Sequence, residues 1–452
     1  MWSLGTRKKI DKPEGMTAFL VVWAGQLVSI LGSIMTNFAL MIWIWMKTGE
    51  ATPFAIFGFV TFTPLLLATP LAGVLVDRWD RKLTMILSDL AAGIATIMIF
   101  ILFLVGGLEL WHLYILGAFS GFFGAFQFPA FSASISLMVK KENYARANGL
   151  LSMAGTTSGL FGPVLAAAFL GIIGIKGILI IDIVTFTAAI GTLLFIQVPQ
   201  PKKSEVGDKS VSNIWNEMLF GFKYIYKRRS LMGLLLVFLA INVFFQIGNT
   251  LRAPMMLART GGSEYVLAGV QSIACVGGIL GGLVLAVWGG PKNKIRGIFL
   301  GMGASSIFGV FLMGLGTGLI IWGVGSFVML FSMSITGGCS QSFWQSKVEP
   351  DIQGKVFSAR RFIAQASIPI ASLISGPMAD GYFEPAMSEG GSLSLVFGNL
   401  VGTGSGAGMA VIYLIIGIFG LLVVVVGYSV YHIREAENIL SDFDPSAQGV
   451  TA

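Results

Sequence analysis

The chain has 452 residues, 55% of them hydrophobic and only 11% charged, against about 25% charged in a typical soluble protein. Its 29 Lys and Arg outnumber 22 Asp and Glu, but they lie between long apolar runs, where a membrane protein needs them, so a nucleic-acid partner is not the expectation. No phosphate-cradling Gly-x-x-x-x-Gly-Lys loop, no nucleophile–His–acid set and no metal-type spacing occurs, and Cys275 and Cys339 stand singly in apolar stretches. The chain therefore reads as neither an enzyme nor a holder of metal or cofactor.

A basic stretch (Arg7, Lys8, Lys9, Lys12) precedes an apolar run too long for a secretory leader, so the first span is expected to be retained. Apolar windows bounded by charge, Gly and Pro predict twelve membrane helices: 17–46, 53–76, 84–106, 112–138, 148–172, 177–197, 231–257, 265–288, 297–315, 318–345, 356–379 and 407–431. Alternate loops hold Arg78, Arg81 and Lys82; Lys140, Lys141 and Arg146; Lys292, Lys294 and Arg296; and Lys347, Lys355, Arg360 and Arg361. The opposite loops and span ends hold only Lys47, Lys176, Arg252 and Arg259. This bias predicts a multi-pass membrane protein with both termini in the cytoplasm; the membrane expected is a bacterial cytoplasmic one.

The longest polar break, 198–230, divides the windows six and six, as in transporters built from two repeats. The expected organisation is an N-terminal six-helix bundle (1–197), a cytoplasmic linker (198–230), and a C-terminal bundle with its tail (231–452). Within the linker, Ile214, Met218, Phe222 and Ile225 recur at helical spacing against Lys223 and Lys227, the pattern of a helix lying on the membrane surface.

The second window ends in Gly73-Val-Leu-Val-Asp77-Arg78-Trp-Asp-Arg81-Lys82, and the fifth contains Gly155, Gly159, Gly162 and Pro163. The first resembles the signature loop of the major facilitator superfamily; the second resembles the Gly-rich, Pro-ended motif of its antiporters. That second motif is partial, because Ala166, Ala167 and Ala168 stand where the family usually places Gly-Gly. Trp23-Ala-Gly-Gln-Leu-Val-Ser, Asp89, Ile181-Asp182 and the stretch from Gly354-Lys-Val-Phe-Ser to Gly376-Pro-Met-Ala-Asp380 look like the macrolide-efflux branch, to which siderophore exporters and lysophospholipid transporters are related. The resemblance implies an all-α integral membrane fold of twelve helices, in two six-helix bundles around a central cavity. It also implies a conformational latch formed by Gly73, Asp77, Arg78, Arg81, Lys82 and Asp89, with Asp89 pairing with the basic cluster. Gly155 and Gly159 would allow tight packing, and Pro163 would bend the helix.

An ionisable residue inside a span marks a functional site unless a partner explains it. Asp182 in the sixth window is read either as a proton-coupling group or as a structural hydrogen-bond acceptor, and Arg252 either as a substrate contact or as a residue reaching outward to the interface. The first and fourth windows carry no Asp or Glu, and Ser33 follows Gly32 where several relatives place Asp. The resemblance implies that helices 1, 4, 7 and 10 line the cavity; Gln26, Asn37, Phe126, Gln127, Gln246, Asn249, Arg252, Gln341 and Gln345 on them, with Gln271 in the eighth window, are the candidate cavity residues. An aromatic cavity with a few amides suits a bulky amphipathic ligand. The expected function is efflux of a small amphipathic compound in exchange for protons, by a monomer in contact with membrane lipids. Transport of a lysophospholipid, siderophore or other secreted metabolite is the alternative, and a non-transporting membrane receptor the remote one.

Overall fold

The computed structural model describes residues 15–139, 144–196, 214–348 and 353–440, and every secondary-structure element among them is helical. The first half comprises α1 (Gly15–Thr48), α2 (Ala51–Arg78), α3 (Arg81–Leu104), α4 (Leu110–Met138) and α5 (Tyr144–Phe195). Eleven helices are long and apolar enough to cross a membrane, and one of these, Met153–Phe195, is double length. At Gly174 its backbone turns to φ 64° and ψ −174°, a conformation that side chains with a Cβ avoid. The helix breaks there into two arms, and each arm is a span. The described residues thus hold twelve spans, and the break falls between the fifth and sixth windows of the sequence. The helix continues past Pro163; the sharp change is at Gly174.

After the central break come α6 (Ile214–Tyr226), α7 (Arg229–Arg259), α8 (Glu264–Trp288) and α9 (Lys294–Ala304). The ninth span continues from α9 through a wider π-type stretch, Ser305–Phe311, into α10 (Leu312–Leu315). Then follow α11 (Leu319–Lys347) and α12 (Gln353–Met378), the latter running through a second π-type stretch, Ala379–Phe383, into α13 (Glu384–Ala386). A short α14 (Ser394–Val401) precedes the last span, α15 (Ala407–Ser429), and two single turns, α16 (Tyr431–Arg434) and α17 (Ala436–Ile439), close the described chain. The sequence windows did not anticipate α14 or the π-type stretches, because neither changes the apolar pattern.

Contacts divide the chain into two compact units, 1–39 with 67–202, and 40–66 with 203–452. Both boundaries in the first half fall inside helices: α1 leaves the first unit after Ala39, and α2 rejoins it at Leu67. In the second unit, α8 and α11 approach closely. A methyl group added at Gly277 or Gly281 would lie 2.4 Å from the Phe327 or Phe331 carbonyl oxygen, so the spacing of four glycine-to-glycine positions creates a shallow track for the neighbouring backbone. The Tyr413 hydroxyl ties α15 to α7 by donating to the Gly248 carbonyl. Tyr224 and Ile225 of α6 are buried with Leu231, Leu234, Ile298 and Trp344. The amphipathic linker pattern is therefore a helix, and one face of it belongs to the core of the second unit; the side chains of Ile214 and Met218 lie outside the described residues.

Candidate functional site

Two carboxylates are buried in the first unit, Asp89 on α3 and Asp182 on the second arm of α5, at 8% and 3% exposure. A cavity of about 210 Å³ joins them. The Gln26 amide of α1 donates to Asp89 Oδ2 at 2.7 Å, and the Gln127 amide of α4 donates to Asp89 Oδ1 at 2.9 Å. Gln127 Nε2 also donates to Gln26 Oε1 at 2.7 Å, so the two amides and the carboxylate form a closed triangle. Gln127 Oε1 is buried and accepts nothing. At the other end of the cavity, Thr96 Oγ1 of α3 donates to Asp182 Oδ2 at 2.9 Å and Ser33 Oγ of α1 donates to Asp182 Oδ1 at 3.2 Å.

The sequence builds this ladder by helical spacing. Gln26 and Ser33 are seven residues apart on α1, and Asp89 and Thr96 are seven apart on α3, about two helical turns in each case. Each pair therefore presents its two polar groups on one face, one level above the other. Glycines make room for the third wall. A methyl at Gly32 would lie 2.3 Å from Thr185 Oγ1 and 3.1 Å from Asp182 Oδ1, and one at Gly93 would lie 2.4 Å from the Phe186 ring. About two turns of helix nearer the start of α1, a methyl at Gly25 would meet Thr192 at 2.6 Å. These three glycines form the slot in which the second arm of α5 rests.

No Lys, Arg or His lines the cavity among the described residues. In hydrocarbon such carboxylates are tolerable only with dense hydrogen bonding or a bound proton or cation. Ser33 occupies the position where an acid is absent from the first span, and the neighbouring helix supplies Asp182 to that spot.

Of the residues grouped as a latch, Gly73, Asp77 and Arg78 have side chains outside the described residues. Lys82 donates to the Leu194 and Ile196 carbonyls at 3.3 and 2.8 Å, which ties α3 to the end of α5, and Arg81 begins α3. Asp89, grouped with that cluster in the sequence, instead has both its carboxylate oxygens on Gln26 and Gln127. The geometric reason is its position two turns into α3, level with the amides. A methyl at Gly155 or Gly159 would meet nothing within 4 Å, so the tight packing expected of them falls instead at Gly162, where it would meet Ile34 at 2.5 Å.

Among the candidate cavity residues, only Gln26 and Gln127 line this cavity. Phe126 is buried and stacks on Trp79 with ring centroids 6.1 Å apart. Asn37 donates to the Ser33 carbonyl at 2.9 Å. Gln246, Asn249 and Arg252 lie on α7, Gln271 on α8, and Gln341 and Gln345 on α11, all in the second unit. Sequence reasoning missed Ser33 and Thr96 as partners of Asp182. The signal was available: polar residues seven apart on otherwise apolar helices. Among the described residues no cluster of His, Cys, Asp and Glu has the makings of a metal site, and neither Cys275 nor Cys339 is in a disulfide.

Residues 22–372 match the Major Facilitator Superfamily. Macrolide efflux protein A of Streptococcus pyogenes is 27% identical over 80% of this chain and 89% of its own length. The enterobactin exporter EntS of Shigella flexneri is 23% identical over 50% of this chain and 54% of its own. Among solved structures, the nucleoside transporter NupG superposes with a TM-score of 0.68 at 11% identity, covering 92% of this chain and 99% of that one. A bacterial homologue of the lysosomal transporter Spinster gives 0.65 at 14% identity, covering 95% and 98%. Identities this low establish the shared fold alone. The twelve helical spans and the match over most of the sequence agree, and the chain belongs to the Major Facilitator Superfamily: it is a multi-pass membrane transporter, not an enzyme.

Proposed function

We propose that the protein exports a lipophilic or amphipathic small molecule across the cytoplasmic membrane of a bacterium in exchange for protons, by alternating access. The observation that carries this reading is the pair of buried carboxylates, Asp89 and Asp182, in one cavity without a basic side chain among the described residues. Such a site is neutralised most simply by protons. Gln127 Oε1 supports the same reading: it is an orphaned acceptor beside Asp89, and rotation of its amide would let it accept from a protonated Asp89. The Lys and Arg bias supports an orientation with the 198–230 break in the cytoplasm. The substrate class is supported by the macrolide efflux relative, which the chain matches over 89% of that protein's length.

Everted membrane vesicles, energised and given a fluorescent amphiphile in the medium, provide the test. Accumulation should be abolished when nigericin collapses the pH gradient; accumulation that continues at the same rate would reject proton exchange. The match to the enterobactin exporter favours a secreted metabolite as the second reading. Competition between a macrolide, a catecholate siderophore and a lysophospholipid in the same vesicles separates the cargo classes.

A further inference from the structure

α2 ends on Gly73-Val-Leu-Val-Asp77, and α12 with its continuation carries Gly376-Pro-Met-Ala-Asp380: the same spelling, a glycine and then an aspartate four positions later. At the second copy the structure shows what the spelling does. A methyl at Gly376 would lie 2.6 Å from the Thr52 Cα and 2.9 Å from the Ala55 Cβ, so the glycine is what lets α12 run against the first turn of α2. One turn later, Asp380 accepts three hydrogen bonds: from the Ala51 N–H at 3.0 Å, the Thr52 N–H at 2.6 Å and the Thr52 hydroxyl at 2.5 Å. Ala51 and Thr52 open α2, where backbone N–H groups have no partner inside the helix and the helix dipole favours a negative charge. Helix starts are ordinarily capped by the residue just before them. This one is capped from 328 residues away.

The location gives the cap its meaning. The α1–α2 hairpin, residues 40–66, packs with the second unit, while the remainder of both helices packs with the first. A hairpin shared in this way must be released by one unit before the two can move independently. Glu384, one turn beyond Asp380, offers a contrast. It accepts from the Gly406 and Met409 N–H groups at 2.9 and 2.8 Å, a cap joining segments that are close in sequence. Asp380 instead reaches across to a distant hairpin.

We propose that Asp380 is a positioning residue for transport, a clasp that holds the α1–α2 hairpin on the second unit and lets go of the α2 start each time that end of the protein opens. The proposal rests on the transporter cycle above, and on the charge bias for naming that end the outer one. Backbone donors suit a reversible clasp. They carry no counter-charge, so release leaves no unpaired cation behind.

A methyl at Gly58 would lie 3.7 Å from Ser372 Oγ, so the pair Gly58→Cys and Ser372→Cys, with Cys275→Ser and Cys339→Ala, reports whether the hairpin is held. Oxidation in membranes should cross-link the parent, stop its transport of a fluorescent amphiphile, and release it again on reduction. Asp380→Ala should slow cross-linking about fivefold, the order expected for loss of a helix cap. Asp380→Asn should slow it less. Its amide nitrogen cannot accept, so at least one donor is left unmet, and this variant decides the matter if the alanine variant does not fold. Cross-linking at the parent rate in the folded variants, or undiminished transport by the cross-linked parent, would overturn the clasp. Slowed cross-linking in a protein that moves no amphiphile would leave the clasp standing and remove the export reading. Unchanged cross-linking in a protein that exports would do the reverse.

Discussion

An acidic residue at the centre of a membrane helix costs about 3 kcal/mol on insertion scales, and a hydrogen bond to a charged group returns about 1.5–3 kcal/mol. Asp89 has two amide donors and Asp182 two hydroxyl donors, so each can persist as an anion without a cationic partner. That is the condition for a group that gains and loses a proton during a cycle. Asp182→Asn and Asp89→Asn keep the shape and most of the hydrogen bonding while removing the charge. Each should leave a folded protein in the membrane and reduce gradient-driven efflux about tenfold, equivalent to about 1.4 kcal/mol, measured as the initial rate of amphiphile accumulation in energised vesicles. If Asp182→Asn retains the full pH dependence, that carboxyl is scaffold. Both acids were legible in the sequence, because an Asp within an apolar window is conspicuous. Their partners were not: Gln26 and Gln127 meet across 101 positions, and no local pattern reports which amide faces which acid.

The second arm of α5 is the element on which the site depends. It is set by Gly174, which ends the first arm, and by the slot that Gly25, Gly32 and Gly93 leave open. Gly32→Ala would press a methyl against Thr185 and the Asp182 backbone, and overpacking of this kind costs about 1–3 kcal/mol. Gly155→Ala would meet nothing and gains about 0.5–1 kcal/mol of helix propensity. The two substitutions should therefore move thermal unfolding in detergent in opposite directions, with Gly32→Ala also impairing efflux. Equal shifts would mean that the slot has room for a methyl group at Gly32. The helix limits were legible within a few residues, since an apolar window directly reflects hydrocarbon thickness. The roles of the glycines were not. Gly155, Gly159 and Gly162 share one spacing motif, yet of the three only at Gly162 would an added methyl meet a neighbour, because contact depends on what lies opposite.

At the scale of the whole molecule, the proposed orientation rests on the distribution of Lys and Arg. With the native cysteines replaced, Gly107→Cys should react with an impermeant maleimide added outside intact cells, and Lys292→Cys should react only after the cells are opened; the reverse pattern would invert the protein and with it the direction of export. The family was readable from the loop after the second window because its residues are contiguous. The cargo was not, because a binding surface is assembled from side chains scattered over many helices. The carboxylate ladder has an evolutionary corollary. Everything that touches Asp89 and Asp182 in it comes from the first unit, so under the proposed proton exchange the coupling part could stay constant while recognition diversifies elsewhere. Chimaeras that keep residues 1–213 and take the remainder from a relative should inherit the ion dependence of one parent and the drug spectrum of the other.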